Sequence, residues 1–285
     1  MKYKYLNQEE IHEEAPNKGL KFLYHTAFGR FILLLITNKF ISNLVGFFMN
    51  TSLSKPMIKK YINKYDIDMN LYKETGYDCF NDFFKRELKE IKRTDNVEDL
   101  ISICDSKISV YKIEKDLILN IKNSKYTLNE LIKEPVSPEY EDGICIIYRL
   151  EPKDYHHYIF NDDGILLSNK KINGKLHTVN PIVYDKYQVF TENKREVTFL
   201  KTTHLDQVIQ IEVGALCVGR IKNLDVQQFE RYDEKGYFEF GGSTIIQLFK
   251  KDVVEIKEEI INATKEDIET QVTVGTVIGR VIKWN

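Results

Sequence analysis

Residues 18–65 contain no aspartate and no glutamate. Acid is plentiful elsewhere: the 285-residue chain carries 43 acidic residues against 41 Lys and Arg, for a net charge of -2. That near-neutral balance argues against a dedicated nucleic-acid binder. Cysteine is scarce. Cys79, Cys104, Cys145 and Cys217 are scattered, and no two form a CxxC pair. The pattern leaves no zinc motif and predicts reduced core residues in a cytosolic setting. Long apolar runs are missing too. In the most apolar region the longest uncharged stretch, 40–54, includes Asn43, Asn50, Thr51, Ser52 and Ser54. It is too short and too polar to span a bilayer. The first fifteen residues are polar and include four glutamates, so no secretory signal is expected there. Long internal repeats and low-complexity tracts are also lacking.

Apolar residues make up 42% of the chain, which places it among globular proteins with room for a sizeable core. The acid-free segment 18–65 is dense in apolar residues and basic, with Lys18, Lys21, Arg30, Lys39, Lys55, Lys59, Lys60 and Lys64. It reads as helical. Such a segment suits an interfacial anchor on an anionic membrane, or equally a helical hairpin buried against the rest of the protein with its lysines in water. A second helix is expected over 79–93, where Phe80, Phe83, Phe84, Leu88 and Ile91 share one face and form a core stripe.

From about Ile101 short β-branched and aromatic runs alternate with turn residues, interrupted by one short helix at YTLNELIK. The expectation is an α+β fold in which N-terminal helices (1–98) pack on a β-rich, sandwich- or barrel-like catalytic core (99–285). VGALCVGRI and VGTVIGRVI resemble each other, as two turns with glycine at positive φ would.

The stretch EKGYFEFGGSTIIQLF (234–249) reads by itself as two strands joined by a Gly-Gly hairpin turn. Its neighbours change that reading. FNDFFKREL (80–88), CDSKISVYKI (104–113), YRLEPKDYHHYIF (148–160), GKLHTVNP (174–181), FTENKRE (190–196), VGALCVGRI (213–221), EKGYFEFGGST (234–244) and VTVGTVIGRV (272–281) follow one another in a specific order. In these motifs, across most of its length, the chain resembles the pyruvoyl-dependent phosphatidylserine decarboxylase proenzymes of prokaryotic type.

The resemblance implies that the turn is a cleavage site. Ser243 would attack the carbonyl of Gly242, helped by the small Gly241 and Gly242, with backbone amides or Thr244 holding the oxyanion. The chain would separate into 1–242 (β chain) and 243–285 (α chain), which stay together. Ser243 would become a pyruvoyl group, the covalent cofactor that forms the Schiff base with substrate; no metal is implied. The implied reaction converts phosphatidylserine to phosphatidylethanolamine. The implied partners are that lipid and an anionic membrane surface, with peripheral attachment at the cytoplasmic face of the cell membrane. A homodimer is left open.

The family's self-cleavage aspartate corresponds to Asp105, although Ser106 stands where glycine is usual. The family's D-Y-H-x-x-H maps its first histidine onto His156 and its second onto Ile159, which cannot accept a proton. This leaves His156, His157 or His177 as the cleavage base. It also leaves an unprocessed lipid-binding relative as the alternative function, and a soluble decarboxylase of a free amino acid as a third. Asn193 and Arg195 would serve structural hydrogen bonding or substrate contacts.

Overall fold

A computed structural model describes residues 1–15, 18–37, 39–73, 76–122, 124–184, 186–216, 220–240 and 243–282, with the side chains of all of these except 35 and 39–43. Gly241, Gly242 and Cys217 lie outside the described residues, so the expectations placed on them are not addressed by it.

The apolar, acid-free segment folds into four helices: α1 (Lys18–His25), α2 (Ala27–Ile36), α3 (Lys39–Met49) and α4 (Pro56–Tyr65). Thr26 caps α2 by accepting the Gly29 amide at 2.9 Å. Gly29 is needed there because a Cβ would lie 2.1 Å from the Phe22 carbonyl of α1. Pro56 opens α4, and Asp66 ends it in the left-handed region at φ 50. Tyr24, Leu33 and Met49 point inward, whereas Phe28, Phe31, Leu34, Leu44, Phe47 and Leu53 face outward.

Residues ahead of these helices depart from the helical expectation. Lys2–Tyr5 runs parallel to Ile268–Val272, and Ile11–Glu13 pairs antiparallel with Lys2–Tyr5. The first residues therefore extend the main sheet.

Helix α5 (Phe80–Phe84) is much shorter than the expected 79–93. The chain leaves the helix at Lys85, and Leu88 bridges to Tyr72. Phe80, Phe83 and Phe84 pack in a small cluster with Met49 and Tyr77, while Leu88 and Ile91 pack on the main core. The helical spacing was real for one turn only; tertiary contacts, among them those of Arg86 described below, override it beyond. YTLNELIK does hold a helix, α6 (Leu128–Ile132), capped by Thr127, which accepts the Glu130 amide.

Ten strands form the main sheet. From edge to edge they are Gln228–Phe229, Gly164–Ile172, Arg195–Thr202, Gln207–Gly214, Ser243–Phe249, Ile144–Leu150, Ser106–Lys112, Ile268–Val272, Lys2–Tyr5 and Ile11–Glu13. The order is linear and the sheet stays open, so the core is β-rich but not a closed barrel. Alternate residues divide between its faces. Ile146, Tyr148, Ile245 and Phe249 enter one core, and Cys145, Ile147, Ile246 and Leu248 enter the other. Central strands apolar on both faces need cover on both, which the smaller sheets and the helices supply. The two look-alike glycine segments are not equivalent: Gly275 has φ +78 in a turn, whereas Gly214 ends a strand.

Candidate active site

Strand register collects the candidate residues at one end of the sheet. Ser243 opens the central strand and pairs with Gly214 on one side and Leu150 on the other. Asp105 stands directly before Ser106–Lys112, whose Lys107 pairs with Arg149 beside Leu150. His156 and His157 follow the same Ile144–Leu150 strand after a short turn.

Ser243 is fully buried. Among the described residues its Oγ has no hydrogen-bond partner, and neither has the Thr244 Oγ1 beside it. A buried hydroxyl left unpaired costs folding free energy. Ser106 Oγ and Thr270 Oγ1 are left in the same state nearby in the sheet.

Asp105 does not cap its own turn. Its carboxylate accepts the Val274 amide at 2.8 Å and the Tyr155 amide at 3.4 Å, so it joins three distant segments. Burial pushes its pKa up to about 6, against the opposing pull of these two amides and of Arg86. Asp154 accepts the Glu151 amide at 2.7 Å. Burial, with the nearby charges of Asp105 and Glu151, pushes it up to about 7.

His156 is fully buried. Its Nδ1 lies 2.8 Å from the Asp154 carbonyl. A carbonyl only accepts, so Nδ1 carries the hydrogen and Nε2 the lone pair. That Nε2 has no partner among the described residues. Burial first, and then the Arg86 cation, push the imidazole down to about 3, so it is neutral at physiological pH. A neutral ring with a free lone pair is the form a general base needs.

His157 is bound differently. Its Nε2 donates to the Lys85 carbonyl at 2.9 Å, and its Nδ1 lies 3.1 Å from a Glu234 carboxylate oxygen. The ring stacks on Tyr155 (4.9 Å) and meets Tyr237 at a tilt (5.1 Å). Its Nδ1 makes no hydrogen bond among the described residues, and the group that faces it is a carboxylate, which can only accept. Ile159, at the position of the family's second histidine, is 2% exposed within the main core.

His177 packs its ring against Tyr24 and Tyr187, and burial lowers its basicity. Only its backbone is tied towards Ser243. Asn193 Nδ2 donates to the His177 and Gly214 carbonyls, each at 2.8 Å, and Gly214 is the strand partner of Ser243. Arg195 donates to the carbonyls of Glu130, Leu131, Thr191 and Asn193. Both residues are therefore structural ties, and Arg195 caps the carbonyls of α6 rather than gripping a phosphate.

Three participants were not legible as such: Arg86, Asp154 and Phe84. All lie in motifs noticed in the sequence, yet nothing in the spacing assigned them a task. Arg86 is 2% exposed and donates to the Lys153 and Asp154 carbonyls at 2.7 and 3.1 Å. The Phe84 ring covers the His156 imidazole, with centroids 4.1 Å apart.

A cleft of about 1550 Å³ runs past this end of the sheet. Leu20 of α1, Tyr65 of α4, Arg149, Lys153 and Leu150 contribute to its lining. It meets the candidate site through Leu150, the strand partner of Ser243, and not through the candidate side chains themselves.

Comparison with known proteins accords with this arrangement. The sequence pattern of the family described as "Phosphatidylserine decarboxylase" matches residues 80–280. The "Phosphatidylserine decarboxylase proenzyme 2" of Clostridium acetobutylicum is 48% identical over 277 residues, covering 95% of each chain. The proenzyme of Clostridium tetani is 38% identical over 280 residues, covering 95% of this chain and 94% of its own. That of Ruminiclostridium cellulolyticum is 39% identical over 285 residues, covering 96% and 95%. With likeness of this extent spanning both the helical segment and the sheet, the chain belongs to the phosphatidylserine decarboxylase family.

Proposed function

We propose that the chain is a precursor that cuts itself between Gly242 and Ser243 and then decarboxylates phosphatidylserine to phosphatidylethanolamine, using a pyruvoyl group made from Ser243. The observation that carries this reading is the buried, unpartnered Ser243 hydroxyl at the head of the central strand. An orphaned Oγ at this position fits a group built from that side chain.

In the cleavage, Ser243 Oγ adds to the Gly242 carbonyl carbon and loses its proton to a base, and the Ser243 nitrogen leaves as an amine. The peptide becomes an ester. Removal of the Ser243 Cα proton then expels the Gly242 carboxylate from Cβ and leaves a dehydroalanine. Protonation at Cβ, addition of water and loss of ammonia give the ketone, with no oxidant required. We assign the proton transfers to His156, whose Nε2 carries a lone pair with no partner among the described residues and whose ring is neutral through burial. Asp105 holds the Val274 and Tyr155 amides so that both sides of the site keep their places. The pyruvoyl group supplies a carbonyl that captures the substrate amine and accepts the electron pair released with carbon dioxide.

The fragments 1–242 and 243–285 stay together in this scheme. Ser243–Phe249 lies between Gln207–Gly214 and Ile144–Leu150, and all seven of its residues are buried. Buried Arg149 also donates from Nε to Glu269 at 3.0 Å across the two pieces.

The lipid substrate fits a peripheral protein at the cytoplasmic face, where anionic lipid concentrates. Helices α2 and α3 and the turn after them expose Phe28, Phe31, Leu34, Leu44, Phe47 and Leu53 in a region without acid. An apolar surface rimmed by lysines is what an interfacial helix presents to a membrane. No helix among the described residues is long and apolar enough to cross one.

Intact mass and carbonyl labelling test the catalytic reading. The purified protein should consist of two fragments divided at Gly242–Ser243, the smaller reacting with a hydrazine reagent. A single full-length chain after prolonged incubation would favour the unprocessed lipid binder and overturn it.

A further inference from the structure

Two of the buried arginines, Arg86 and Arg195, are used differently. Arg195 spends its donors on four carbonyls. Arg86 bonds through Nη2 alone, and its Nε and Nη1 are buried without a partner among the described residues. Its guanidinium lies over the rings of Tyr72 (4.5 Å) and Phe83 (5.1 Å). A buried cation with unused donors is expensive to keep for packing alone.

What its one bonded nitrogen touches is informative. Arg86 Nη2 and His156 Nδ1 donate to the same Asp154 carbonyl, at 3.1 and 2.8 Å. The Phe84 ring, two residues before Arg86, covers the imidazole. The α5 segment thus supplies both the lid of the histidine and the clamp on its acceptor.

We propose that Arg86 is a positioning residue for proton transfer: it fixes the Asp154 carbonyl and so holds His156 in the tautomer whose Nε2 accepts a proton. Its charge works in the same direction, because a cation beside the imidazole disfavours the doubly protonated ring. The other titratable groups near the ring are His157 and Asp154 on its own segment, with Asp105 from the head of Ser106–Lys112 acting on Asp154. Phe84 and Phe240 pack on one another beside it and carry no charge.

This inference rests on the reading of His156 as the proton carrier, and its test has a readout independent of that reading. Nitrogen-15 spectra of histidine-labelled full-length protein report the tautomer directly. The unaltered chain should show His156 with hydrogen on Nδ1. Arg86→Gln should show a mixture of tautomers, and Arg86→Lys should keep the original one. In the rate of self-cleavage against pH, the acid limb should move up by roughly 1 unit in Arg86→Gln and stay in place in Arg86→Lys. An unchanged tautomer in Arg86→Gln, together with a rate lowered equally at every pH, would reduce Arg86 to a packing residue and overturn the proposal. If the unaltered chain never cleaves, the functional reading fails, while the spectra still decide the role of Arg86. Should Arg86→Gln not fold, Arg86→Lys decides: a shifted limb or a lost tautomer there refutes the proposal, and retention of both supports it.

Discussion

The side-chain oxygen of Asn81 accepts the backbone amide of Phe240 at 3.0 Å, although the two are 159 residues apart. The same side chain donates from Nδ2 to Asn50 at the end of α3, also at 3.0 Å. Phe240 further packs edge-on against Phe80 and Phe84. One end of the proposed cleavage turn is thereby pinned to α5, and the other end is pinned by the strand pairing of Ser243.

Loss of this tie should impair self-cleavage before it impairs the fold. Removing a buried hydrogen-bonding partner costs about 1–3 kcal/mol, and about 1.4 kcal/mol of that felt in the transition state lowers the rate tenfold. Asn81→Ala is expected to mature roughly ten times more slowly on denaturing gels, with its circular dichroism unchanged. Maturation at the original rate would show that Phe240 needs no such anchor.

The neighbouring histidines should separate cleanly. His156→Ala is expected to abolish both cleavage and turnover, because it removes the free Nε2. His157→Ala empties the space between Tyr155 and Tyr237 and leaves the Lys85 carbonyl without its donor. It should lower stability by roughly 2–4 kcal/mol yet still cleave. Cleavage retained in the first variant and lost in the second would reverse the assignment.

The buried carboxylates predict a pH dependence of stability. Asp154 is pushed up to about 7 and Asp105 to about 6, both by burial. The folded state therefore holds protons that the unfolded chain releases near pH 4, and stability falls as pH rises from about 4 to 7. His156, pushed down to about 3 by burial, works against this below about pH 6.5, because there the unfolded chain binds the extra proton. Asp154→Asn keeps an acceptor for the Glu151 amide and removes the buried charge. Its thermal midpoint should rise at pH 8 and change little at pH 5. An equal shift at both values would contradict the raised pKa.

Membrane attachment can be tested without truncation, which would also remove strands of the sheet. Phe31, Leu34 and Phe47 are each more than half exposed. A fully buried side chain of this kind is worth about 1.5–3 kcal/mol. Replacing all three by serine should weaken sedimentation with phosphatidylglycerol vesicles by at least roughly 100-fold. Added salt should weaken binding of the unaltered protein. Equal sedimentation of both proteins would place the binding surface elsewhere.

How far each feature was legible depended on how local its cause is. The strand Ser243–Phe249 could be read because alternation of its residues over seven positions is itself the cause of its burial on two faces. The helix at YTLNELIK could be read because its cap and its threefold spacing lie within eight residues. Helix α5 was overestimated by nearly three turns, 79–93 against Phe80–Phe84. Its stripe continues in the sequence, but Arg86 is drawn to carbonyls 67 and 68 residues away and the chain must turn to follow it.

The sequence by itself determined the chemistry available: a serine after two glycines, an aspartate and a histidine in ordered motifs, and an acid-free apolar segment. What surrounds each histidine was decided only in three dimensions. His156 and His157 are adjacent and identical in type, and a proton acceptor is defined by what occupies its other nitrogen. That occupant is the Asp154 carbonyl, held in turn by Arg86, for one, and the Lys85 carbonyl for the other, whose second nitrogen faces the Glu234 carboxylate. Hydrogen bonds between segments far apart in the chain leave no periodic trace in it, so only the folded arrangement could tell the two rings apart.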